Sequence, residues 1–135
     1  MLKALLPAAL LLWLAAPAQA ATFNVNSLVD GADASIGDGV CETSGGSGNC
    51  TLRAAVQESA PTPAADDIVL GPGVHSVSTF VSAINNDVTI RGAGARATTI
   101  AGSVGGDGVL LLSNSDSQIR DLTITGGSAA SIGEV

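Results

Sequence analysis

Two cysteines and one helical segment lie close together in this chain, and they constrain its fold more than any other feature. Cys41 and Cys50 are the only cysteines, and a Gly/Ser-rich loop separates them. The residues that follow have one apolar face at helical spacing, formed by Leu52, Ala55, Val56 and Ser59. This spacing predicts a helix over residues 51–60, in a chain whose other segments read as strands and turns. A single short helix followed by repeating strands indicates a cap on one end of a repetitive β-structure.

The first twenty residues have the features of a secretory signal. Lys3 gives a short positive start, residues 4–16 are too short an apolar run to span a bilayer, and Ala18-Gln19-Ala20 matches an A-x-A cleavage site. We therefore expect cleavage between Ala20 and Ala21, so that the mature chain begins at Ala21. An uncleaved membrane anchor is the alternative. The mature sequence contains no transmembrane segment.

The composition of the mature chain argues against several classes of function. Without Lys3 it has four arginines and twelve acidic residues, a formal net charge of −8. Nucleic acid is bound through cationic contacts to its phosphates, so we expect no nucleic-acid partner. Phe23 and Phe80 are the only aromatic residues after the signal. Sugar sites normally use an aromatic platform, so this portion is a poor candidate for a lyase or a lectin.

An exported chain with two cysteines predicts a disulfide between Cys41 and Cys50. A bridge that closes so small a loop stabilises the folded state by about 2–3 kcal/mol through lost chain entropy. A metal-binding pair is the alternative. It is the weaker one, because no histidine or further cysteine lies near and the spacing matches no zinc signature.

From residue 66 onward, short β-branched strands alternate with glycine-rich turns, a pattern typical of a repeat. Two series of apolar residues recur with nearly the same short period. The first consists of the pairs Ile68/Leu70, Val88/Ile90 and Val109/Leu111. The second consists of Val77, Ile100 and Leu122. A rival register has a longer period and matches Ile90 to Ile119. We favour the shorter period; either register predicts stacked parallel strands, and an antiparallel sandwich is the alternative.

The segment Cys50-Thr51-Leu52-Arg53-Ala54-Ala55 resembles the motif that names the CSLREA domain, which stands at the N-terminus of secreted bacterial right-handed β-helix proteins. Residues 22–27, 37–41 and 65–73 resemble neighbouring parts of that domain. Residues 88–94 and 122–127 resemble pectate-lyase-type rungs. Two positions depart from the motif, because Thr51 replaces its serine and Ala54 replaces its glutamate. Any role of that glutamate is therefore not carried over.

The resemblance implies an all-β fold, a right-handed parallel β-helix with an N-terminal capping strand and a short amphipathic helix. It divides the chain into a signal peptide over 1–20, a cap over 21–65 with its helix at 51–60, and two or three first rungs over 66–135. We expect the last of these parts to be truncated. The residues expected to cover the end of the β-helix are Leu52, Arg53, Ala55 and Val56.

The resemblance also implies a function and a location. We expect a secreted or surface-exposed structural or adhesin-like module with no catalysis of its own, in the periplasm, outside the cell or at the bacterial outer membrane. The alternative is the N-terminal portion of a polysaccharide lyase or hydrolase whose active site lies beyond residue 135. Expected partners are a surface polysaccharide, or another protein chain bound through the open end of the β-helix. We assign no catalytic and no cofactor-binding residue.

The one metal considered is calcium. An acidic loop supplies oxygen ligands of the kind that calcium uses, from Asp30, Asp33, Asp38 and Glu42. The spacing of these acids matches no EF-hand loop, so a solvated loop is the preferred interpretation.

Other polar residues are interpreted as structural. Asp66 and Asp67 are expected at a solvated strand entrance, with their side chains on opposite faces. His75, the only histidine, is expected to be exposed. Arg91 and Arg120 are expected to point outward. An acidic polysaccharide could contact them there, but surface solubility is the simpler interpretation.

Overall fold

The structure is a computed structural model, and it describes residues 19–62, 64–83, 87–103, 109–113 and 116–127. Most of the expected signal, with Lys3 and Ala18, lies outside these residues, as does the C-terminal stretch 128–135 of the expected incomplete rung. No helix within the described ranges is long and apolar enough to cross a membrane.

The described part of the chain consists mainly of short strands, with a single helix. The helix follows the first strand and a long loop, as the apolar spacing predicts. In chain order the elements are β1 (Thr22–Val25), α1 (Leu52–Ser59), β2 (Asp66–Leu70), β3 (Gly73–Val77), β4 (Val81–Ala83), β5 (Val88–Arg91), β6 (Thr98–Gly102), β7 (Leu110–Leu112), β8 (Gln118–Arg120) and β9 (Thr123–Thr125).

The strands form three sheets, and every recorded pairing is parallel. The first sheet has the order β1-β2-β5-β8, the second β3-β6-β9, and the third β4-β7. After β2 the chain visits the second and third sheets in turn, then returns to the first sheet beside the strand it left. Parallel neighbours need such a crossover, and here strands of the other sheets supply it. The all-β prediction with parallel stacking is confirmed, and the antiparallel alternative is wrong for these strands.

The register corrects the favoured period. In the first sheet Ile68 pairs with Ile90, whereas Val88, which the short period aligns with Ile68, pairs with Asp66. Ile90 pairs in turn with Ile119, so the second step along the chain is longer than the first. The longer register is therefore the right one for that second step. Val109 does not continue this series, because it precedes β7, which pairs with β4 in the third sheet. Spacing varies because only the strands must align, while the loops between them differ in length.

The second sheet needs a similar correction. Ile100 pairs with His75 on the preceding strand of the sheet and with Ile124 on the following one. Val77 and Leu122, assigned to this series from their spacing, are not its partners. The predicted series contain only apolar residues. His75 is polar and is therefore absent from the predicted second series, although it is the register partner of Ile100.

Two β-branched stretches of the chain each form two strands with a corner between them. The stretch from Val74 to Val81 forms β3 and β4, and the stretch from Ile119 to Ile124 forms β8 and β9. In the second of these, Asp121 adopts a left-handed backbone conformation with φ of 58°. Such a conformation cannot continue a strand, so the chain turns there into the next sheet.

All three sheets share one apolar core. Alternate residues of β1, β2 and β5 point into it, so that Phe23, Ile68 and Ile90 stack in register and are buried. Side chains of the second and third sheets, the helix and Cys50 belong to the same cluster. Full burial of one isoleucine contributes about 1.5–3 kcal/mol to stability. The repeated stack is therefore a principal source of stability for the fold.

Candidate functional site

Helix α1 lies where all three sheets begin. It contacts β1, β3 and β4, the first strands of the three sheets, and also β2. Six of its eight residues are buried. We call α1 together with residues 26–50 the junction segment, because this part of the chain meets the start of every sheet.

The helix begins with a side-chain cap. The hydroxyl of Thr51 accepts a hydrogen bond from the Ala54 amide at 3.1 Å and donates one to the Gly31 carbonyl at 2.5 Å. Thr51 thus satisfies one of the amides that a helix start leaves unpaired, and it also holds the preceding loop. Serine, which the CSLREA motif has at this position, offers the same hydroxyl.

The residues expected to cover the β-structure occupy two environments. Leu52, Ala55 and Val56 are buried in the shared core. Arg53 is half-buried and directed toward the loop, where it forms an ion pair with Asp30. Three of the four therefore pack against the start of the sheets, and the fourth joins the helix to the loop.

The disulfide between Cys41 and Cys50 is present, which confirms that prediction. The two Cα atoms lie 5.1 Å apart, and Cys50 belongs to the core cluster. The Cys50 carbonyl accepts hydrogen bonds from the amides of Asn26 and Ser27, both at 3.0 Å. The bridge therefore attaches the loop to the end of β1 just before α1 begins.

The junction segment covers the outer edge of β3. The Ser76 amide donates to the Leu28 carbonyl at 2.8 Å, and the Ser78 amide donates to Asp30 Oδ2 at 2.7 Å. Ser76 lies on β3, the first strand of the second sheet, and Ser78 directly follows that strand. The two amides are two residues apart and therefore lie on the same edge. An uncovered edge of this kind pairs readily with other chains. Leu28 and Asp30 satisfy two of its donors without adding a strand.

Asp30 and Arg53 join the loop, the helix and the corner between β3 and β4. Arg53 Nε and Nη2 each donate to one carboxylate oxygen of Asp30 at 2.8 Å. The same guanidinium donates to the carbonyls of Phe80 at 3.1 Å and Thr79 at 2.7 Å. Paired, planar contacts of this type are strong and directional. They hold three separate segments in one arrangement.

The pKa of Asp30 is lowered to about 2. Burial of the carboxylate acts in the opposite direction, but hydrogen bonds from Arg53 and Ser78 and the charge of Arg53 outweigh it. The ionised form of Asp30 is therefore the one that the folded state stabilises.

Two glutamates organise the loop through backbone amides. Glu58, on α1, is buried and accepts from the amides of Gly37 and Gly39. Glu42 accepts from Gly46 at 2.8 Å and Gly48 at 3.2 Å. In each case one carboxylate receives amides two residues apart, and all four glycines have positive φ. The sequence pattern does not reveal the burial of Glu58, because a glutamate on a helix is normally exposed.

The other calcium candidates have separate partners. Asp33 accepts from the Ser35 amide at 2.9 Å and from the Glu42 amide at 3.1 Å, and Asp38 accepts from the Val40 amide at 2.8 Å. Within the ranges that the structure describes, no three His, Cys, Asp or Glu side chains form a group that could hold a metal. Calcium binding by this loop stays an untested and less favoured alternative.

The interpretation of Asp66 as a solvated residue is wrong. Asp66 is 1% exposed, whereas Asp67 is half-exposed on the opposite face. Asp66 Oδ1 accepts from the Ala21 amide at 2.7 Å, and Oδ2 accepts from the Thr62 hydroxyl at 2.5 Å. These two hydrogen bonds make burial of the carboxylate possible.

His75 is buried, which corrects the expectation of an exposed residue. It occupies a core position of β3 with only 2% of its surface exposed. Its Nε2 lies 3.0 Å from the Gly71 carbonyl, while Nδ1 is buried and has no hydrogen-bond partner in the described part of the chain. Its register position, opposite Ile100, is one that an apolar residue would normally fill.

The two arginines expected to face outward differ in their surroundings. Arg91 Nη2 lies 2.8 Å from Asp67 Oδ2 on the outer face of the first sheet. Hydrogen bonding and charge from Asp67 raise the pKa of Arg91 above its ordinary value. Arg120 pairs in register with Arg91 on the next strand and is exposed. The outer face thus carries one paired and one exposed guanidinium.

Comparisons with protein-family models, curated proteins and solved structures find no match to this chain. The resemblance to the CSLREA domain therefore remains a prediction from the residues that carry it.

Proposed function

We propose that this chain is a secreted structural module of the CSLREA type, which begins a right-handed parallel β-helix and has no catalysis of its own. The junction segment is its functional part. It closes the start of the three sheets, so that further turns are added only at the opposite end. The role is architectural, in a surface-exposed or adhesin-like protein.

One observation carries this proposal: one end of the sheet stack is covered by other parts of the chain, whereas apolar side chains are exposed at the other end. At the start, α1 contacts β1, β3 and β4, and the loop satisfies edge amides of Ser76 and Ser78. Along the described strands at the other end, Ile119 is 41% and Ile124 is 42% exposed. The residues that precede them in register, Ile90 and Ile100, are fully buried. A module with one covered end suits the beginning of a repeat protein.

The polar residues of the junction segment support a structural role. Asp30, Arg53 and Glu58 hold segments of this chain to one another. The disulfide does the same, which suits a protein exported to an oxidising compartment. These side chains are engaged with the fold itself.

A surface polysaccharide is the proposed partner of the outer face. Arg120 is exposed there, next to the Arg91–Asp67 pair, and guanidinium groups bind carboxylates of acidic sugars well. The chain as a whole is acidic, so this contact depends on local rather than net charge.

Replacement of Leu52 by aspartate tests the structural role. Leu52 is 2% exposed, and a charge there cannot be accommodated in the core. We expect Leu52→Asp to lower the melting temperature by more than about 10 °C and to cause aggregation. Asn24→Asp is the matched control, because Asn24 lies on the exposed face of β1 and the variant adds the same charge. Equal melting temperatures for Leu52→Asp and wild type would refute the proposed cap.

A second assay addresses the catalytic alternative. The purified chain is incubated with polygalacturonate and other acidic polysaccharides, and new chain ends are measured. We expect binding without cleavage, with the affinity reduced in Arg120→Gln. Turnover by the wild-type chain would overturn the proposal of a module without catalysis.

A further inference from the structure

Ala21 is hydrogen-bonded to two neighbouring aspartates of β2. Its nitrogen donates to Asp66 Oδ1 at 2.7 Å, and its carbonyl accepts from the Asp67 amide at 2.9 Å. Ala21 packs against the core, whereas Gln19 and Ala20 are exposed. The residue after the expected cleavage site is therefore already hydrogen-bonded to β2, directly before β1 begins.

Asp66 is a buried carboxylate without a side-chain cation. The ion pairs formed among the described residues are Arg53–Asp30 and Arg91–Asp67, and neither involves Asp66. Within the described part of the chain, its carboxylate oxygens accept from the Ala21 amide and the Thr62 hydroxyl. A buried carboxylate is costly unless it is paired as well as hydrogen-bonded. An aspartate in this place is thus better suited to a cationic partner than to an amide.

We propose that removal of residues 1–20 creates that cation, and that the new α-ammonium of Ala21 forms an ion pair with the buried carboxylate of Asp66. Water adds across the Ala20–Ala21 peptide bond, which yields the Ala20 carboxylate and the Ala21 α-amine. An α-amino group is protonated at neutral pH. The nitrogen already lies 2.7 Å from Asp66 Oδ1, so no rearrangement is needed. This inference rests on the secretion signal in the proposed function.

The ion pair couples folding to export. Before cleavage the Ala21 nitrogen is a neutral amide that donates a hydrogen bond to Asp66 but carries no charge, so the fold lacks the ion pair. After cleavage the pair connects β1 to β2 at the first step of the stack. The processed chain is therefore more stable than the precursor. A precursor that is less stable stays easier to unfold for translocation across a membrane.

The composition of the chain allows a direct test. Lys3 is the only lysine of residues 1–135, so after cleavage the α-amine of Ala21 is the only primary amine of residues 21–135. The full chain is produced in an exporting bacterial host, and its N-terminus is identified by mass spectrometry. The native protein is then treated with an amine-reactive reagent, and the rate of modification is compared with that of a variant carrying one glycine inserted between residues 20 and 21.

The inserted glycine moves the α-ammonium by about 3.8 Å, one Cα spacing, but leaves the Ala21 amide free to bond Asp66. We expect the wild-type amine to react at least tenfold more slowly than the amine of the inserted variant. Equal rates would overturn the ion pair while leaving secretion intact. A secreted product that still carries residues 1–20 would instead refute the signal, and the inference with it.

A stability cycle separates the ion pair from a general effect of chain length. In the wild-type background we expect the inserted glycine to raise the unfolding equilibrium constant about tenfold, equal to about 1.4 kcal/mol. In the Asp66→Asn background the same insertion changes it less than twofold, because no carboxylate is left to pair. An equal effect in both backgrounds would contradict the proposal. If Asp66→Asn does not fold, the labelling rates alone decide.

Discussion

At the scale of single residues, the carboxylates of the junction segment act as hydrogen-bond acceptors for the backbone. Glu42 and Glu58 each receive two glycine amides, and Asp33 receives two amides from its own loop. An ionised oxygen accepts such bonds more strongly than a neutral one. A long loop with little apolar content is thereby ordered at the cost of several buried or half-buried charges.

Asp30 is the carboxylate whose contribution to stability is expected to depend most clearly on pH. Its folded pKa of about 2 lies below the ordinary 3.8. The stabilisation is therefore fully present above about pH 4 and is lost as the pH falls through about 2. We expect Asp30→Asn to lower the free energy of unfolding by about 2 kcal/mol at pH 7. Urea denaturation at pH 7 and at pH 2.5 measures the difference, which should be much smaller at the lower pH.

Asp38→Asn serves as the control for this experiment. Asp38 is exposed and accepts one amide bond from Val40, two residues away. We expect a change of less than about 0.5 kcal/mol, the usual range for surface substitutions. A difference between wild type and Asp30→Asn that stays constant from pH 7 to pH 2.5 would show that the charge of Asp30 is not the source of its effect.

His75 provides a second prediction at this scale. The Gly71 carbonyl also accepts a bond from the Thr98 hydroxyl at 3.0 Å, so it keeps a partner when the imidazole is removed. His75→Leu fills similar space and eliminates the unpartnered Nδ1, which costs about 1–3 kcal/mol in a buried site. We expect this variant to match or exceed the stability of wild type in thermal unfolding.

The paired variant His75→Ala distinguishes packing from polarity. It leaves a cavity in the core, and losses for large-to-small changes of this kind are about 2–5 kcal/mol. If His75→Leu were destabilised as strongly as His75→Ala, the polar contact would be the important one, and our account of His75 as a core-filling residue would fail.

At the scale of elements, the close approach of successive corners determines how the sheets stack. Gly92, which follows β5, donates its amide to the Arg120 carbonyl at 3.0 Å. A Cβ at this position would collide with the Asp121 carbonyl and lie 2.8 Å from Thr98 Cβ. The absence of a side chain at Gly92 thus allows the corner after β8 to lie directly against the corner after β5.

We expect Gly92→Ala to destabilise the chain by about 1–3 kcal/mol, because the colliding atom belongs to the backbone and cannot rotate away. Gly71→Ala is the matched control. Gly71 follows β2 as Gly92 follows β5, but an added Cβ there meets nothing within 4 Å. Chemical denaturation of both variants gives the comparison. Equal stabilities would mean that the corners adjust freely and do not restrict the stacking.

The elements themselves can be predicted from local sequence, whereas their pairing cannot. The helix is predicted over residues 51–60, and the structure has it at Leu52–Ser59, because apolar residues at helical spacing are a local signal. The pairing of Ile90 with Ile119 is the less favoured of the two registers that the sequence suggests. The reason is that the loops between strands differ in length, so the strands do not recur with one period. The register of β3 is also missed by an apolar pattern, because the core position opposite Ile100 is occupied by a histidine.

In the candidate site, too, the local features can be predicted from the sequence and the long-range contacts cannot. The disulfide and the apolar face of α1 are visible in the sequence, and both are present. The contacts of Asp30 with Arg53 and Ser78 are not visible, because they join residues 23 and 48 positions apart. The burial of Asp66 and Glu58 escapes prediction for a related reason: Ala21, which donates to Asp66, and Gly37 and Gly39, which donate to Glu58, lie far from them in the sequence. Only the folded topology brings these residues together.

At the scale of the whole molecule, the stack of sheets has a start and an end with different surfaces. Phe23, Ile68 and Ile90 are successive buried members of one ladder in the first sheet. Ile119, the next member, is 41% exposed on β8, the last strand of that sheet in the described part of the chain. In the described part of the chain, this end has exposed apolar surface and no further strand beyond β8, an arrangement that favours addition of another strand.

We therefore expect the chain to self-associate through β8 and β9, and we expect Ile119→Lys combined with Ile124→Lys to weaken this association at least tenfold. Both positions are partly exposed, so the loss of folding stability should be modest, while Ile90→Lys, at a fully buried position of the same ladder, should prevent folding. The two lysines reduce the net negative charge of the chain. A weaker association therefore cannot be attributed to greater repulsion between the net charges of two copies. Sedimentation velocity over a range of concentrations measures the dissociation constant. An unchanged constant in the double variant would place the association surface elsewhere.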